Sequence, residues 1–546
     1  MAKCVKNAAD GSVANADGFA STCSSIFSGV ISFFIFLLVT VFPLIYHDSY
    51  FDILETKYQC YYLCIIGMLV VCLVLALVMT FVDMKEYQGA HMKALMAKMA
   101  PKNWKTTFCA ADAAIIVFWL AALISTFQSD YFYESFWGNE GRYTGLFLMT
   151  LYVLSYFVIS RCWKVRGWLL ELFLVSGMIM CFIGITDYFQ LDILGFRGRI
   201  KPEQSTLFTS TVGNINTYTA YVALIMGFAA AMFATTKCKW RAIWYFICLA
   251  VSFLAIITGC SDNAYLALGA LFAFLPFILF RSWKGIFRYA VMVATFFSVA
   301  QLVDWINHTY EHMVIGLDSL FRIIADFSGL PIIVAGLWIL VVVLYIFLEK
   351  DGKMNEAAGK LPVGIWSVLV IGSVAMVVIM LFDANILGNG KRYGTLGTYL
   401  VFSDSWGTNR GYIWRKSLEL YRDFEGLHKI FGYGPDTFGI LTTNEIKFDM
   451  INATEQVFDN AHNEYLHLLL TVGPIGLAAY VTFGVSAIVK FCRNLAKHPC
   501  VIGCCAAVVC YSAQAAVNLN LPIATPIMWL MLSVGIAAVK TRDEVK

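Results

Sequence analysis

The chain has 546 residues, 60% hydrophobic and only 14% charged, with a net charge of +3, where a typical soluble protein carries about a quarter charged residues. That apolar content exceeds what one soluble core of this length needs, and it excludes both a soluble globular enzyme and a disordered chain. Nor does it alternate polar with apolar as outer-membrane barrel strands do, which leaves an all-α, polytopic helical membrane protein.

The stretch from Met1 to Ser25 is polar, with Lys3 and Lys6 as its cations. No convincing cleavage site follows the first apolar run, so that run reads as a retained span. Fourteen runs of span character are predicted, at 27–46, 61–82, 112–127, 144–160, 167–187, 217–235, 242–259, 264–280, 289–303, 331–348, 363–382, 465–489, 500–517 and 522–539. Most of the 16 cysteines fall inside these runs, where a free thiol acts as a small apolar residue.

An even number of spans puts both termini on one side. With Met1 cytoplasmic, every short inside connection is basic, as the positive-inside rule requires. Lys85, Lys93, Lys98, Lys102 and Lys105 follow the second span, and Arg161, Lys164 and Arg166 the fourth. The same holds for Lys237 to Arg241, Arg281 to Arg288, Lys350 to Lys360, Lys490 to Lys497, and the tail with Lys540, Arg542 and Lys546. Most acids, among them Asp48, Glu55, Asp130, Glu134 and Glu140, fall outside. Three outside connections are long. One is 190–216. The second, 304–329, spaces Trp305, His308, His312, Ile315 and Leu317 as an amphipathic surface helix would. The third, 383–463, is the one large extramembrane segment, and a loop that long usually has a function. The expected organisation is thus a tail with two additional spans (1–110), a core bundle (111–382), an extracytoplasmic loop (383–463) and the C-terminal spans (464–546).

The large loop holds three dense stretches. In Trp406-Gly407-Thr408-Asn409-Arg410-Gly411-Tyr412-Ile413-Trp414, Thr408 or Asn409 can cap a helix. Arg410 then sits in its first turn, where guanidinium and free N–H groups make an anion site. The alternative is an Arg paired with Asp404. Phe431 to Gly439 carries three Gly and one Pro; it is either a plain turn or a close approach of backbone to a ligand. In Asp459-Asn460-Ala461-His462-Asn463-Glu464, Asp459 or Asn460 can cap the re-entering helix, with His462 in its first turn. A helix N-terminus disfavours imidazolium, so His462 would be a neutral base able to take a hydroxyl proton. The alternative is an interfacial His that only hydrogen-bonds a carbonyl. His467 faces elsewhere and is a weaker candidate.

Outside the loop, Arg142 either reaches a phosphate or pairs with Glu140. Asn214 and Asn216 either bind sugar hydroxyls or cap a helix, and Asp262 is a charge in a tight turn at the membrane edge. His308 and His312 have i,i+4 metal spacing but no third ligand. The chain has no phosphate-binding P-loop, no dinucleotide fingerprint and no serine nucleophile elbow, and nothing in it calls for nucleic acid.

Four elements occur in order: "GNEGRYTGLF", "STVGNINTYTAYV", "NRGYIWRKSLELYRDF" followed by "IFGYGPDTFG", and "NAHNEYLHLLLTVGPIGLAAYV". Together they resemble the O-antigen ligase and polymerase superfamily of bacterial membrane glycosyltransferases, over roughly residues 110–540. The resemblance implies inverting, metal-independent and cofactor-free glycosyl transfer outside the cytoplasmic membrane. The donor would be a glycan on undecaprenyl pyrophosphate, and the acceptor a glycan, lipid or protein. His462 matches the family's essential loop His, and Arg410 the loop Arg that holds the pyrophosphate. Asn214, Asn216, Trp414, Asn460 and Asn463 are further substrate-binding candidates beside Arg142 and Asp262. There is one departure. Many members have Ser-Arg-Gly-Ala where this chain has Ser261-Asp262-Asn263-Ala264; Arg142, Arg197 and Arg199 are candidates to replace the missing Arg. Ligase and polymerase share all these motifs. A transporter or flippase of a lipid-linked saccharide is the alternative class, but it would place ionisable residues at mid-membrane. Here the spans are largely uncharged, with Glu171 near one end as an exception.

Overall fold

The computed structural model describes residues 2–317 and 319–540; Arg542 and Lys546 of the basic tail lie outside the described residues. The chain is helical apart from a two-residue antiparallel pairing of Phe208–Thr209 with Gly213–Asn214. Among the described residues, 11 helices are long and apolar enough to cross a membrane. Three further apolar helices are shorter: Leu146–Cys162, Asn263–Leu279 and Thr525–Lys540. Each predicted span overlaps one of these helices.

The Ile215–Thr235 helix forms the centre of the bundle and is buried on all sides. Small residues allow this, because they let backbones approach closely. A Cβ on Gly227 would lie 2.7 Å from the Ala506 carbonyl oxygen of the neighbouring Cys500–Gln514 helix. At the other extreme, the Leu361–Asn385 helix buries only Ala384; its apolar surface is suited to lipid. Glu171, the exception among the spans, accepts hydrogen bonds from Trp244 Nε1 (3.0 Å) and Tyr245 Oη (2.5 Å), so its charge is met locally.

Two expectations are corrected. The run predicted as one span at 465–489 is two helices, Glu464–Thr471 and Gly473–Arg493. Gly473 is left-handed (φ 76°), and Pro474 lacks the N–H that would continue the ladder. A Cβ at Gly473 would lie 2.2 Å from the Ile430 carbonyl, so glycine is required where the loop presses on the break. The second correction concerns 304–329. Trp305 and His308 lie on the end of the Trp283–Thr309 helix, followed by a 3-10 turn at Glu311–Met313 and a short helix at Ser319–Ala325. No single amphipathic helix runs through the segment, and His308 and His312 do not share one.

The segment 383–463 builds its own apolar cluster from Tyr412, Ile413, Phe438, Leu441, Met450 and Phe458. It grips the helix ends through backbone. Tyr433 and Gly434 donate their N–H groups to the Leu470 and Thr471 carbonyls (3.0 and 2.9 Å), and Gln128 Nε2 donates to the Gly432 carbonyl (2.6 Å). The glycine-rich stretch is therefore a turn that clasps protein. A Cβ on Gly434 (φ 117°) would fall 2.0 Å from Ser135 Oγ.

Candidate functional site

Gly407, Thr408 and Asn409 are all left-handed (φ 59°, 61° and 68°), and the right-handed helix runs on from Arg410 to Asp423. Neither Thr408 nor Asn409 acts as the expected side-chain cap. The turn closes instead through backbone, with the Tyr412 N–H donated to the Asp404 carbonyl at 3.0 Å. Arg410 does occupy the first right-handed turn, where it is 8% exposed. The alternative pairing with Asp404 is not formed, because both Asp404 oxygens accept from Arg415 at 3.0 and 2.7 Å. Among the described residues Arg410 has no hydrogen-bond or ion-pair partner. Burial lowers its pKa, and the carboxylate of Asp262 works against that. Asp262 Oδ1 is itself buried without a hydrogen-bond partner.

Arg410 and Asp262 line one cavity of about 910 Å³, together with Tyr265, Lys391 and Trp406. Val377 and Met380, on the lipid-suited Leu361–Asn385 helix, form another part of its wall. The cavity thus lies at the lateral edge of the bundle. Its charged lining is Arg410 and Lys391 against Asp262. A buried guanidinium without a partner, with the exposed Lys391 on the same lining, has a residual capacity for an anion.

His462 lies one residue ahead of the helix cap and not, as expected, in the first turn. The cap of the Glu464–Thr471 helix is Asn463, whose Oδ1 accepts the N–H groups of Tyr465 and Leu466, both at 3.0 Å. Neither Asp459 nor Asn460 caps it, and His462 precedes its first turn. His462 is left-handed (φ 49°); Asn460 Oδ1 accepts its N–H at 2.9 Å, and Trp414 Nε1 donates to the adjacent Ala461 carbonyl at 2.9 Å. Asn460, Asn463 and Trp414, expected to contact substrate, thus fix the backbone around His462. The imidazole packs edge-on to Phe458 at 6.1 Å, with Nδ1 buried and unpartnered. Burial above all, and then the nearby guanidiniums of Arg410 and Arg142, push its pKa down to about 3, while Asp459 opposes them. The imidazole is therefore neutral at pH 7, and burial rather than a helix terminus is the main cause.

Arg142 does not pair with Glu140. It holds Asp459 with two hydrogen bonds, 3.0 and 2.6 Å. Arg197 donates to the Asp187 and Phe208 carbonyls, and Arg199 pairs with Asp48, so neither lines the cavity. Asn214 Oδ1 caps the Ile215–Thr235 helix at Asn216 N (2.8 Å). Asn216 accepts from Ser261 Oγ (2.6 Å) and from Asn263 Nδ2 (2.8 Å). These contacts brace the two neighbours of Asp262 in the turn. The structure thus brings His462, Arg410, Arg142, Trp414, Asn460 and Asn463 into one region, with Asp262 across the cavity, and leaves Asn214 and Asn216 as supports.

Three residues escaped sequence reasoning. Lys391 stands beside Arg392 in the 3-10 segment Gly390–Leu396, with no motif around it. Asp459 was weighed only as a cap. Asp436, 3% exposed, accepts the backbone N–H groups of Asn139 (2.6 Å) and Thr144 (3.0 Å) on one oxygen; its burial raises its pKa to about 6. A lone Asp amid glycines gave no signal of a partner nearly 300 residues away.

Over 224 residues the chain is 24% identical to an uncharacterized protein of Haemophilus influenzae; the match covers 38% of this chain and 51% of that protein. The chain thus spans about half the length of the curated relative it matches. Residues 317–481 match the family described as O-antigen ligase, a stretch that contains Arg410, Trp414, Asp436 and His462. Through this segment, less than a third of its length, the chain is similar to the O-antigen ligase family.

Proposed function

We propose that this protein is an inverting membrane glycosyltransferase of the ligase type, working on the extracytoplasmic side. It transfers a glycan from a polyprenyl-diphosphate donor to an acceptor hydroxyl in cell-surface polysaccharide assembly. The observation that carries this reading is a neutral, half-buried imidazole beside two guanidiniums, one of which lines a cavity with a lipid-suited wall. The basic inside connections orient that end of the bundle away from the cytoplasm.

In this reading a donor enters the cavity sideways, its chain against Val377 and Met380 and its diphosphate toward Arg410. Lys391 supplies the second cation, the role left open by Asp262, since Arg142, Arg197 and Arg199 are all engaged elsewhere. His462 takes the proton of the acceptor hydroxyl. The hydroxyl oxygen forms a bond to the anomeric carbon while the bond from that carbon to the diphosphate oxygen breaks. The electron pair leaves with the diphosphate, whose charge Arg410 stabilises. No protein–sugar intermediate forms, so the anomeric configuration inverts.

The test uses purified protein with an undecaprenyl-diphosphate-linked oligosaccharide and a mixed acceptor pool, beside His462→Ala, read by mass spectrometry. One glycan on a new acceptor is the expected result. A ladder of repeats would make the protein a polymerase of the same superfamily. Movement of the lipid-linked donor across vesicles with no new glycosidic bond would replace the reading with a transporter.

A further inference from the structure

A second opening adjoins the Gly138–Gly145 loop that carries Arg142. It is a cleft of about 580 Å³ walled by Tyr58 and Tyr62 on the Ile53–Glu86 helix and by Tyr133 and Trp137 on the Phe132–Trp137 helix. Tyr143 stacks on Tyr58 at 4.7 Å and 10° and also lines the cleft. Tyr133 is 69% and Trp137 45% exposed, so both rings are open to a ligand. Glu134 and Glu140 stand among these rings. Among the described residues neither carboxylate has a hydrogen-bond or ion-pair partner, and no cation lines the cleft.

Aromatic faces supply broad, rigid contact for apolar C–H surfaces, and free carboxylates accept hydrogen bonds from hydroxyl or ammonium groups. A pyranose ring presents both, with C–H groups on a face and hydroxyls at the rim. The volume suits a small ligand. The sign of the charge narrows the choice further. Two carboxylates without a neighbouring cation repel a uronic acid or a sugar phosphate, whereas a neutral or amino sugar is accepted. The cleft is also tied mechanically to His462. Its floor is the loop that Asp436 pins through Asn139 and Thr144, and Arg142 of that loop holds Asp459, three residues before His462.

We infer that this cleft is a saccharide subsite for a neutral or amino-substituted ring of the acceptor glycan. All of its lining residues, from Tyr58 to Phe147, lie outside residues 317–481. The subsite is therefore a property that the N-terminal part of this chain adds to the matched segment. The word acceptor rests on the proposed glycan transfer; the binding of sugar does not.

The experiment is saturation-transfer NMR on the full chain in lipid nanodiscs with three tetrasaccharides: chitotetraose, its fully deacetylated form, and tetragalacturonate. Wild type is compared with Tyr133→Ala, Glu140→Gln and His462→Ala. Tyr133 and Glu140 are exposed, so both cleft variants are expected to fold. The first two sugars should bind and the acidic one should not. Tyr133→Ala and Glu140→Gln should each raise Kd at least about fivefold, with His462→Ala unchanged. No binding of the first two sugars by wild type, preference for the acidic one, or indifference to both cleft variants would each overturn the subsite. Binding as expected in a protein that transfers no glycan would leave the subsite standing and remove only its assignment to an acceptor.

Discussion

Arg142 and Asp459 join two parts of the site that lie more than 300 residues apart in the chain, Nε to Oδ2 at 3.0 Å and Nη2 to Oδ1 at 2.6 Å. The fork is bidentate, a geometry that lysine cannot reproduce. It fixes the segment just before His462 while its own charge acts on the imidazole. Arg142→Lys should keep most of that charge and lose the alignment, lowering kcat/KM about tenfold or more. Asp459→Asn should do much the same, and the double variant should be little worse than either single one. Fully additive losses would mean that the pair does not act as a unit.

His462 carries a pKa pushed down to about 3. A base is active when deprotonated, so the acid limb set by this residue in the free protein lies far below the ordinary histidine range. The kcat/KM of the wild type should stay level from pH 8 to pH 5 with respect to His462. Removing a neighbouring cation raises the pKa, because imidazolium is then less repelled. Arg142→Gln should therefore move the acid limb of kcat/KM upward, while burial and Arg410 still hold it below the ordinary histidine range. His462→Ala should lose about 10²-fold or more in transfer at every pH. A wild-type profile that already falls with a midpoint near pH 6.5 would contradict the burial of this base.

The apolar runs made the membrane helices legible, because a lipid-facing or bundle-facing helix needs little but length and hydropathy. The helix break at Gly473 was harder to see, since Leu468 to Leu470 and Val472 carry the apolar run up to it; Gly473-Pro474 was its local signature. Arg410 and His462 could be singled out from local chemistry. Their surroundings could not, because the partners come from elsewhere. Asp262 reaches the cavity from a turn between two helices, and Arg142 acts on His462 from a loop before the fourth predicted span. Even the neutrality of His462 was reached from the sequence by the wrong cause, since the helix is capped by Asn463, three or four residues later than the motif implied, and burial lowers the pKa instead.

Asp436 is buried, and its pKa is raised from the ordinary aspartate range to about 6. A folded-state pKa above the unfolded one means the folded protein binds the proton more tightly. The stability from this group is full below about pH 4 and is lost as pH rises through 6. Ionised Asp436 thus weighs against the fold at pH 7 and above. Asp436→Asn keeps an oxygen for the Asn139 and Thr144 N–H groups without the buried charge. It should raise the melting temperature at pH 8 relative to wild type and narrow the difference between pH 5 and pH 8. Asp436→Ala strands both N–H groups and should destabilise by about 1–3 kcal/mol for each. Thermal unfolding of the three proteins in the same detergent at both pH values checks this. A lower melting temperature for Asp436→Asn than for wild type at pH 8 would show that the carboxylate charge is needed by the loop.

Asp262 opposes Arg410 inside the cavity, and Lys391 is the other cation on its lining. The three charges leave one net positive charge to meet a diphosphate. Asp262→Asn removes the repelling carboxylate and should lower the KM for a diphosphate-linked donor severalfold, with a smaller change in kcat. Lys391→Ala should raise KM by a similar factor, since an exposed cation contributes on the order of 1 kcal/mol. Arg410→Lys should fall mainly in kcat, because a point charge replaces the fork that meets the departing oxygens. The opposed signs at Asp262 and Lys391 separate an electrostatic role from general disruption of the cavity, which would raise KM for both. If Asp262→Asn instead raises KM, the carboxylate is a ligand for the donor's sugar hydroxyls or for a cation carried with the diphosphate, and the anion would have to be held by Arg410 and Lys391 at a distance from the turn.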